Sequence, residues 1–365
     1  MRTYMNRREL TGWPSIFLDG IRFIAAATVL VAHSQAIWFP ETELNPLPGN
    51  LSHGAVVLFF VLSGFVIAHT TSSSSRNGKE YFVARLSRLY SVFLPAIVVT
   101  VVCALLIKEF SPDTYEKYQQ NHVGFRYIAS LFFCNEIWFL SSAPLLNGPI
   151  WSLSYEFWYY AIFGAFFYRK PGILGYTIAC IVCLIAGPKI LLLMFMWLIG
   201  WLAYHLPKIV GSKSIAWGST IGLLLVALLL VVYLPPLPNA VNTTKMHWAD
   251  KFISDFIVSI IIGVAFCYLP DGQKSNNYSI TTKWFRWVAD LTFPIYVLHF
   301  PILVLSQIFI LNTFVNKNYA FYFSLCFTFF LCSIIGIILD KNRKHWKSLF
   351  SILVYKPASV FKNIV

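Results

Sequence analysis

Apolar runs separated by short polar stretches succeed one another along the whole chain, at 16–38, 53–70, 90–107, 150–168, 172–186, 190–205, 215–234, 252–270, 287–311 and 320–339. Most are close to the roughly 20 residues that a helix needs to cross hydrocarbon, and none alternates in the way of a strand. An eleventh run, 127–140, has only 14 residues and contains Asn135 and Glu136. That length suits a re-entrant or interfacial segment. Runs 172–186 and 190–205 are separated only by Gly187, Pro188 and Lys189, a tight hairpin. The pattern predicts an all-α polytopic integral membrane protein of about ten transmembrane helices plus one short re-entrant or interfacial segment. It divides into a transmembrane domain over 1–339 and a basic tail over 340–365. No internal repeat of the inverted-repeat transporter kind is visible by inspection.

Composition agrees, because 58% hydrophobic residues, 12% charged residues and a mean hydropathy of +0.66 exclude an ordinary soluble protein, in which charged residues alone approach about 25%. The basic leader holding Arg2, Arg7 and Arg8 precedes a run that contains Asp19 and Arg22 and lacks a small-residue cleavage site, which predicts an uncleaved first span. The seven cysteines have no disulfide-scaffold or metal-ligand spacing, and the Cys180/Cys183 pair reads as packing inside an apolar run, so no metal is expected. A net charge of +13 would suit nucleic acid, but its distribution points to a membrane instead. With the N-terminus inside, 20 of the 28 Lys and Arg residues fall on inward segments and 7 on outward ones, Arg22 being the last. Both termini are therefore expected in the cytoplasm. Counting 127–140 as a span would reverse every later loop and put Lys341, Arg343, Lys344 and Lys347 outside.

Against this background the polar intrusions stand out. Arg22 and His33 are eleven positions apart on the first run, within about 20° of one helical face and about 16 Å along it. A charge at bilayer depth costs about 2.5 kcal/mol or more, so Arg22 either faces a protein interior or snorkels to the headgroups. Helical rise puts His33 about 7 Å, and Glu156 about 9 Å, from the outer ends of their runs, close enough in depth for the carboxylate to orient the imidazole as a general base. The alternative is a buried pair that joins two helices. His299 serves either core packing or pocket lining, and Asp19 is a candidate partner for Arg85 or Arg88. These two arginines, three residues apart, can hold phosphates or act as a positive-inside anchor on anionic lipid.

In order along the chain, Asp19-Gly20-x-Arg22 with His33, Phe59-Phe60-Val61-Leu62-Ser63-Gly64-Phe65, Arg85-x-x-Arg88, Trp151-Ser152-Leu153-x-x-Glu156 and Tyr296-x-x-His299-x-Pro301 resemble the membrane-bound acyltransferase 3 family, whose bacterial members O-acylate polysaccharides. The resemblance covers nearly the whole chain. It departs from many members at Val57, where an Asp is common, and at Phe157, where a second acid often follows Glu156. What it implies is an acyl-CoA-dependent O-acyltransferase, most simply an O-acetyltransferase of a bacterial inner membrane. Acetyl-CoA would be the cytoplasmic donor, and a glycan or lipid-linked saccharide the acceptor on the far side. His33, Arg22 and Glu156 are the candidate catalytic residues. Arg85, Arg88 and Arg22 are candidates for the donor, and His299 and Trp151 for the substrate. The rival is a transporter of acyl groups or glycolipids that uses Arg22, Glu156 and His299 as substrate or proton sites. The expected partners are acyl-CoA, the saccharide acceptor and membrane lipids, with no nucleic acid.

Overall fold

A computed structural model describes residues 8–40, 50–73, 76–209, 211–272, 280–311 and 313–355. Among them are α1 (Trp13–Trp38), α2 (Asn50–Ser73), α3 (Gly78–Phe110), α4 (Pro112–Tyr118), α5 (Val123–Leu131), α6 (Trp151–Phe167) and α7 (Ile173–Ala186). There follow α8 (Pro188–His205), α9 (Lys213–Tyr233), α10 (Phe252–Tyr268), α11 (Ile280–Asp290), α12 (Thr292–Ile310) and α13 (Lys317–Tyr355), with no strand among the described residues. Each of the ten longer apolar runs lies in a helix to within a residue or two at its ends, except that 287–311 is divided between α11 and α12. Among the described residues, seven helices (α1, α2, α3, α8, α9, α12 and α13 over Lys317–Lys341) are long and apolar enough to cross a membrane. The other runs form shorter helices, α6 and α10 of 17 residues and α7 of 14. Segment 127–140 is not one helix: α5 stops at Leu131, and Phe133 and Trp138 then take positive φ. The stretch between the first two runs falls mostly on 41–49, which with Met1, Arg2, Arg7 and Val365 lies outside the described residues.

The chain divides into two compact units. The first comprises Met1–Ala32, Glu43–Ser75 and Pro188–Thr292. Its centre is the crossing of α2 and α8, where Gly64 faces the backbone of Trp197 and Gly200 faces that of Val61, so closely that a methyl group at either glycine would overlap the opposing carbonyl. Small residues that let helix backbones touch are the usual basis of packing in lipid, where burial of apolar surface supplies no net drive. Ser63 accepts from the Trp197 indole at 3.2 Å beside this crossing. The Ser63-Gly64 pair therefore serves helix contact. Arg8 donates to the carbonyls of Phe266 (2.6 Å) and Leu206 (3.0 Å), which supplies donors and positive charge to the C-terminal ends of α10 and α8. On α9, Leu225 and Leu229 are 55% and 56% exposed. Such a surface is unfavourable in water but suits hydrocarbon.

The second unit comprises His33–Thr42, Arg76–Gly187 and Phe293–Val365. Asn77 and Glu80 form a reciprocal capping box that starts α3, with Asn77 Oδ1 accepting from Glu80 N (2.9 Å) and Glu80 Oε2 from Asn77 N (3.2 Å). At 33 and 39 residues, α3 and α13 are about 50 and 58 Å long, well beyond a 30 Å hydrocarbon layer. They run antiparallel, with the Tyr90 ring 5.4 Å from that of Phe350 and the Lys79 ammonium 5.2 Å over the Tyr355 ring. Lys341, Arg343, Lys344 and Lys347 are thus part of a helix that continues through 340. Helix α6 lies on α3 through Gly164, which meets Tyr81 and Phe82, and through Tyr81, which donates to the Tyr160 carbonyl at 3.3 Å.

One buried contact follows from proline chemistry. Pro301 inside α12 has no N–H, so the carbonyl of Val297 lacks its helical donor. The Asn147 Nδ2 amide supplies one at 3.0 Å and also donates to Thr100 at 3.0 Å, which ties α12 to α3. Asn147→Ala should cost about 1–3 kcal/mol, the range for stranding a buried carbonyl. A lowered thermal midpoint of the detergent-solubilised protein would register it. Adding Pro301→Ala, which restores an N–H for Val297, should recover part of the loss; no drop in the single variant would refute the account.

Candidate functional site

His33 is the first residue of the second unit, near the C-terminal end of α1. Its Nδ1 lies 2.8 Å from Nε2 of His299 on α12. The rings are parallel within 2°, yet their centroids are 5.1 Å apart, so they lie edge to edge in nearly one plane, as a ring-to-ring hydrogen bond requires. Phe300 closes one side of His33, with centroids 5.5 Å apart. His299 is fully buried, and its Nδ1 faces the carbonyls of Tyr296 (2.8 Å) and Ile295 (3.1 Å).

Helix α6 supplies the next layer. Tyr296 bonds to Ser152 (2.6 Å), and its hydroxyl also reaches the carbonyl of Pro149 (2.7 Å). The Tyr-x-x-His and Trp-Ser-Leu motifs are therefore joined by side chains. Ser154 and the Trp158 indole both donate to the carbonyl of Phe133, at 2.6 and 2.9 Å. Trp151 is buried with its ring edge-on to Tyr155 (5.2 Å). One turn beyond Ser152, Glu156 accepts from the Tyr160 hydroxyl. The Tyr160 ring lies 5.7 Å from the guanidinium of Arg85, which is also 5.6 Å from the Tyr81 ring. Arg88 is within electrostatic reach of Tyr160 as well. A band of polar groups thus runs through the second unit from His33 and His299, by Tyr296 and Ser152, to Glu156, Tyr160 and Arg85.

One expectation is corrected here. His33 bonds to His299 and not to Glu156, because the contacts of Gly164 and Tyr160 with Tyr81 fix the register of α6 on α3 and draw Glu156 to the level of the arginines. Asp19, in the first unit, makes an ion pair with Arg22 one turn away (3.3 Å), each side chain about one-fifth exposed. The first unit also holds a buried cluster that the sequence reading did not single out. Asp255 on α10 lies 2.8 Å from His53 Nε2 and 3.6 Å from the Lys251 ammonium. The four-residue spacing of Lys251 and Asp255 at the head of an apolar run was its only trace in the sequence.

A helical membrane protein with a hydrogen-bonded imidazole pair, hydroxyls and an aromatic-held arginine along one path is the class that this architecture defines. The chain belongs to the acyltransferase 3 family, matching its acyltransferase domain over residues 15–338. It is 28% identical over 188 residues to protein 2 in the picA locus of Rhizobium radiobacter, covering 48% of this chain and 95% of that protein. It is 27% identical over 169 residues to the peptidoglycan O-acetyltransferase OatA of Listeria monocytogenes, covering 42% of this chain and 24% of that one. To the O-acetyl transferase of Shigella phage Sf6 it is 28% identical over 161 residues, 40% of this chain and 44% of that one. The chain thus spans less than half the length of either O-acetyltransferase. No solved structure matches it.

Proposed function

We propose that this protein is an integral membrane O-acyltransferase that moves an acyl group, acetyl in the simplest case, from cytoplasmic acyl-CoA to a hydroxyl of a glycan or lipid-linked saccharide on the far side of a bacterial plasma membrane. Membership of the acyltransferase family and the two named O-acetyltransferases support acyl transfer to oxygen. The observation that carries the reading furthest is the polar band of the second unit, which has a basic, aromatic-lined end at Arg85 and an imidazole end at His33. Arg85 and Arg88 suit the phosphates of coenzyme A, since a guanidinium held between rings is pre-organised for an oxyanion. The thin pantetheine arm would follow the band towards His33. There the imidazole would take the proton of the acceptor hydroxyl as its oxygen attacks the thioester carbonyl; the C–O bond forms, the C–S bond breaks, and the proton passes to the departing thiolate. Arg22, eleven residues earlier on the same helix, would add positive charge on the donor's side. Glu156 would act through Tyr160, orienting that ring over Arg85, and Trp151 and Ser152 would line the acceptor's approach.

The test is protection and turnover with purified protein. Acetyl-CoA at 100 times its dissociation constant should stabilise the fold by about 2.7 kcal/mol, read as a raised unfolding midpoint. Acetate from labelled acetyl-CoA should appear on a saccharide. An unmoved midpoint at millimolar acetyl-CoA would count against the donor and favour transport without chemistry.

The reading also needs both termini, and the basic segment 340–365, in the cytoplasm. Cysteines introduced at Asn50 and Ser73, the two ends of α2, in a background without native cysteines should label from opposite sides, Asn50 from outside. Labelling of both from one side would remove the basis for transfer across the membrane.

A further inference from the structure

We infer that His299 is a positioning residue which, through its own backbone, sets the tautomer of His33 and makes His33 Nε2 the nitrogen that receives the acceptor's proton. The inference rests on the proposed role of His33 as general base. Its starting point is that carbonyl oxygens only accept. Nδ1 of His299 lies within 2.8 and 3.1 Å of two of them, Tyr296 and Ile295, so it carries the proton. In a neutral ring the other nitrogen, Nε2, is then an acceptor. His33 Nδ1, 2.8 Å away in the same plane, must donate to it. That leaves the lone pair of His33 on Nε2, directed away from His299.

A doubly protonated His299 would reverse the chain and leave Nε2 of His33 carrying a proton, useless as a base. Against that, the residue is fully buried at membrane depth, and none of its described partners is a carboxylate. A charge so placed is costly. The relay is the neutral counterpart of an Asp–His couple: the carbonyls of α12 orient His299, and His299 orients His33. It also gives the Tyr296-x-x-His299 spacing a physical reason, since three residues bring the ring back over the carbonyl of its own preceding turn.

The test exploits the different reach of two amides. Glutamine at 299 can place its oxygen where Nε2 stands, whereas asparagine reaches only as far as Nδ1. His299→Gln should therefore keep kcat within about tenfold of the parent, while His299→Asn, equally polar and smaller, should lose about 10²-fold or more, with the KM for acetyl-CoA unchanged in both. Equal kcat in the two variants, or an effect confined to KM, would overturn the relay and return His299 to substrate binding. Should either variant fail to fold, ¹⁵N-histidine spectra of the parent decide the matter, with His33→Ala assigning the signals. His33 protonated at Nδ1 supports the relay, and His33 protonated at Nε2 refutes it. If His33→Ala itself keeps near-normal turnover, the general-base reading fails. If His33→Ala is inactive but His299→Asn is fully active, only the relay fails.

Discussion

His33→Ala should abolish acyl transfer, by a factor of at least about 10³, while leaving the protein folded and able to bind acetyl-CoA. The expected size comes from removing a positioned general base, which typically contributes 10²- to 10⁴-fold, together with the loss of the His299 contact that orients the reacting face. Folding should survive, because His33 is only half buried and truncation to alanine strands no charge. Donor binding should survive too, because Arg85 packs on the Tyr160 ring beside Glu156, whereas His33 bonds to His299. Turnover in membranes and the acetyl-CoA-induced rise in unfolding midpoint measure the two properties separately. Near-normal turnover would remove His33 from the chemistry. A parallel loss of turnover and of donor protection would make it a structural residue.

The helices were legible in the sequence because a bilayer permits few alternatives to them, so long apolar runs translate almost directly into α1, α2, α3, α8, α9 and α13. The break between α11 and α12 was not, since the one residue that separates them, Leu291, is itself apolar. The site was half legible. Residue type alone marked Arg22, His33, Glu156 and His299, since ionisable groups in such runs need a reason, and the three-residue spacing from Arg88 marked Arg85. Their pairing was not, because depth counted from the ends of runs assumes that all helices start at one plane. Helix α6 has 17 residues and takes its height from Gly164 against Tyr81 and Phe82, while α12 starts at Thr292, five residues later than the run suggested. Those offsets replace Glu156 by His299 as the partner of His33. The Ser63-Gly64 tract, conspicuous as a motif, is explained by the crossing of α2 and α8.

The second large effect is expected at Arg85. Arg85→Ala should raise the KM for acetyl-CoA by about 10- to 150-fold, the equivalent of 1.5 to 3 kcal/mol for a lost hydrogen bond to a charged group, with little change in kcat at saturating donor or in the KM for the acceptor. Position is the reason for that asymmetry. The guanidinium lies 5.6 and 5.7 Å from the Tyr81 and Tyr160 rings, at the end of the polar band remote from His33. Arg85→Lys should recover only part of the loss, since an ammonium keeps the charge but not the planar fork that stacks on the rings and meets a phosphate with two bonds. Tyr160→Phe provides the internal control. It keeps the ring over Arg85 but severs the bond to Glu156, so it should weaken donor binding less than Arg85→Ala does. An unchanged donor KM in Arg85→Ala would detach the arginine from coenzyme A and leave it as a positive-inside anchor. Equal losses in kcat and in both KM values would instead show that the stacked arginine holds α6 against α3, and that the donor's phosphates are bound elsewhere.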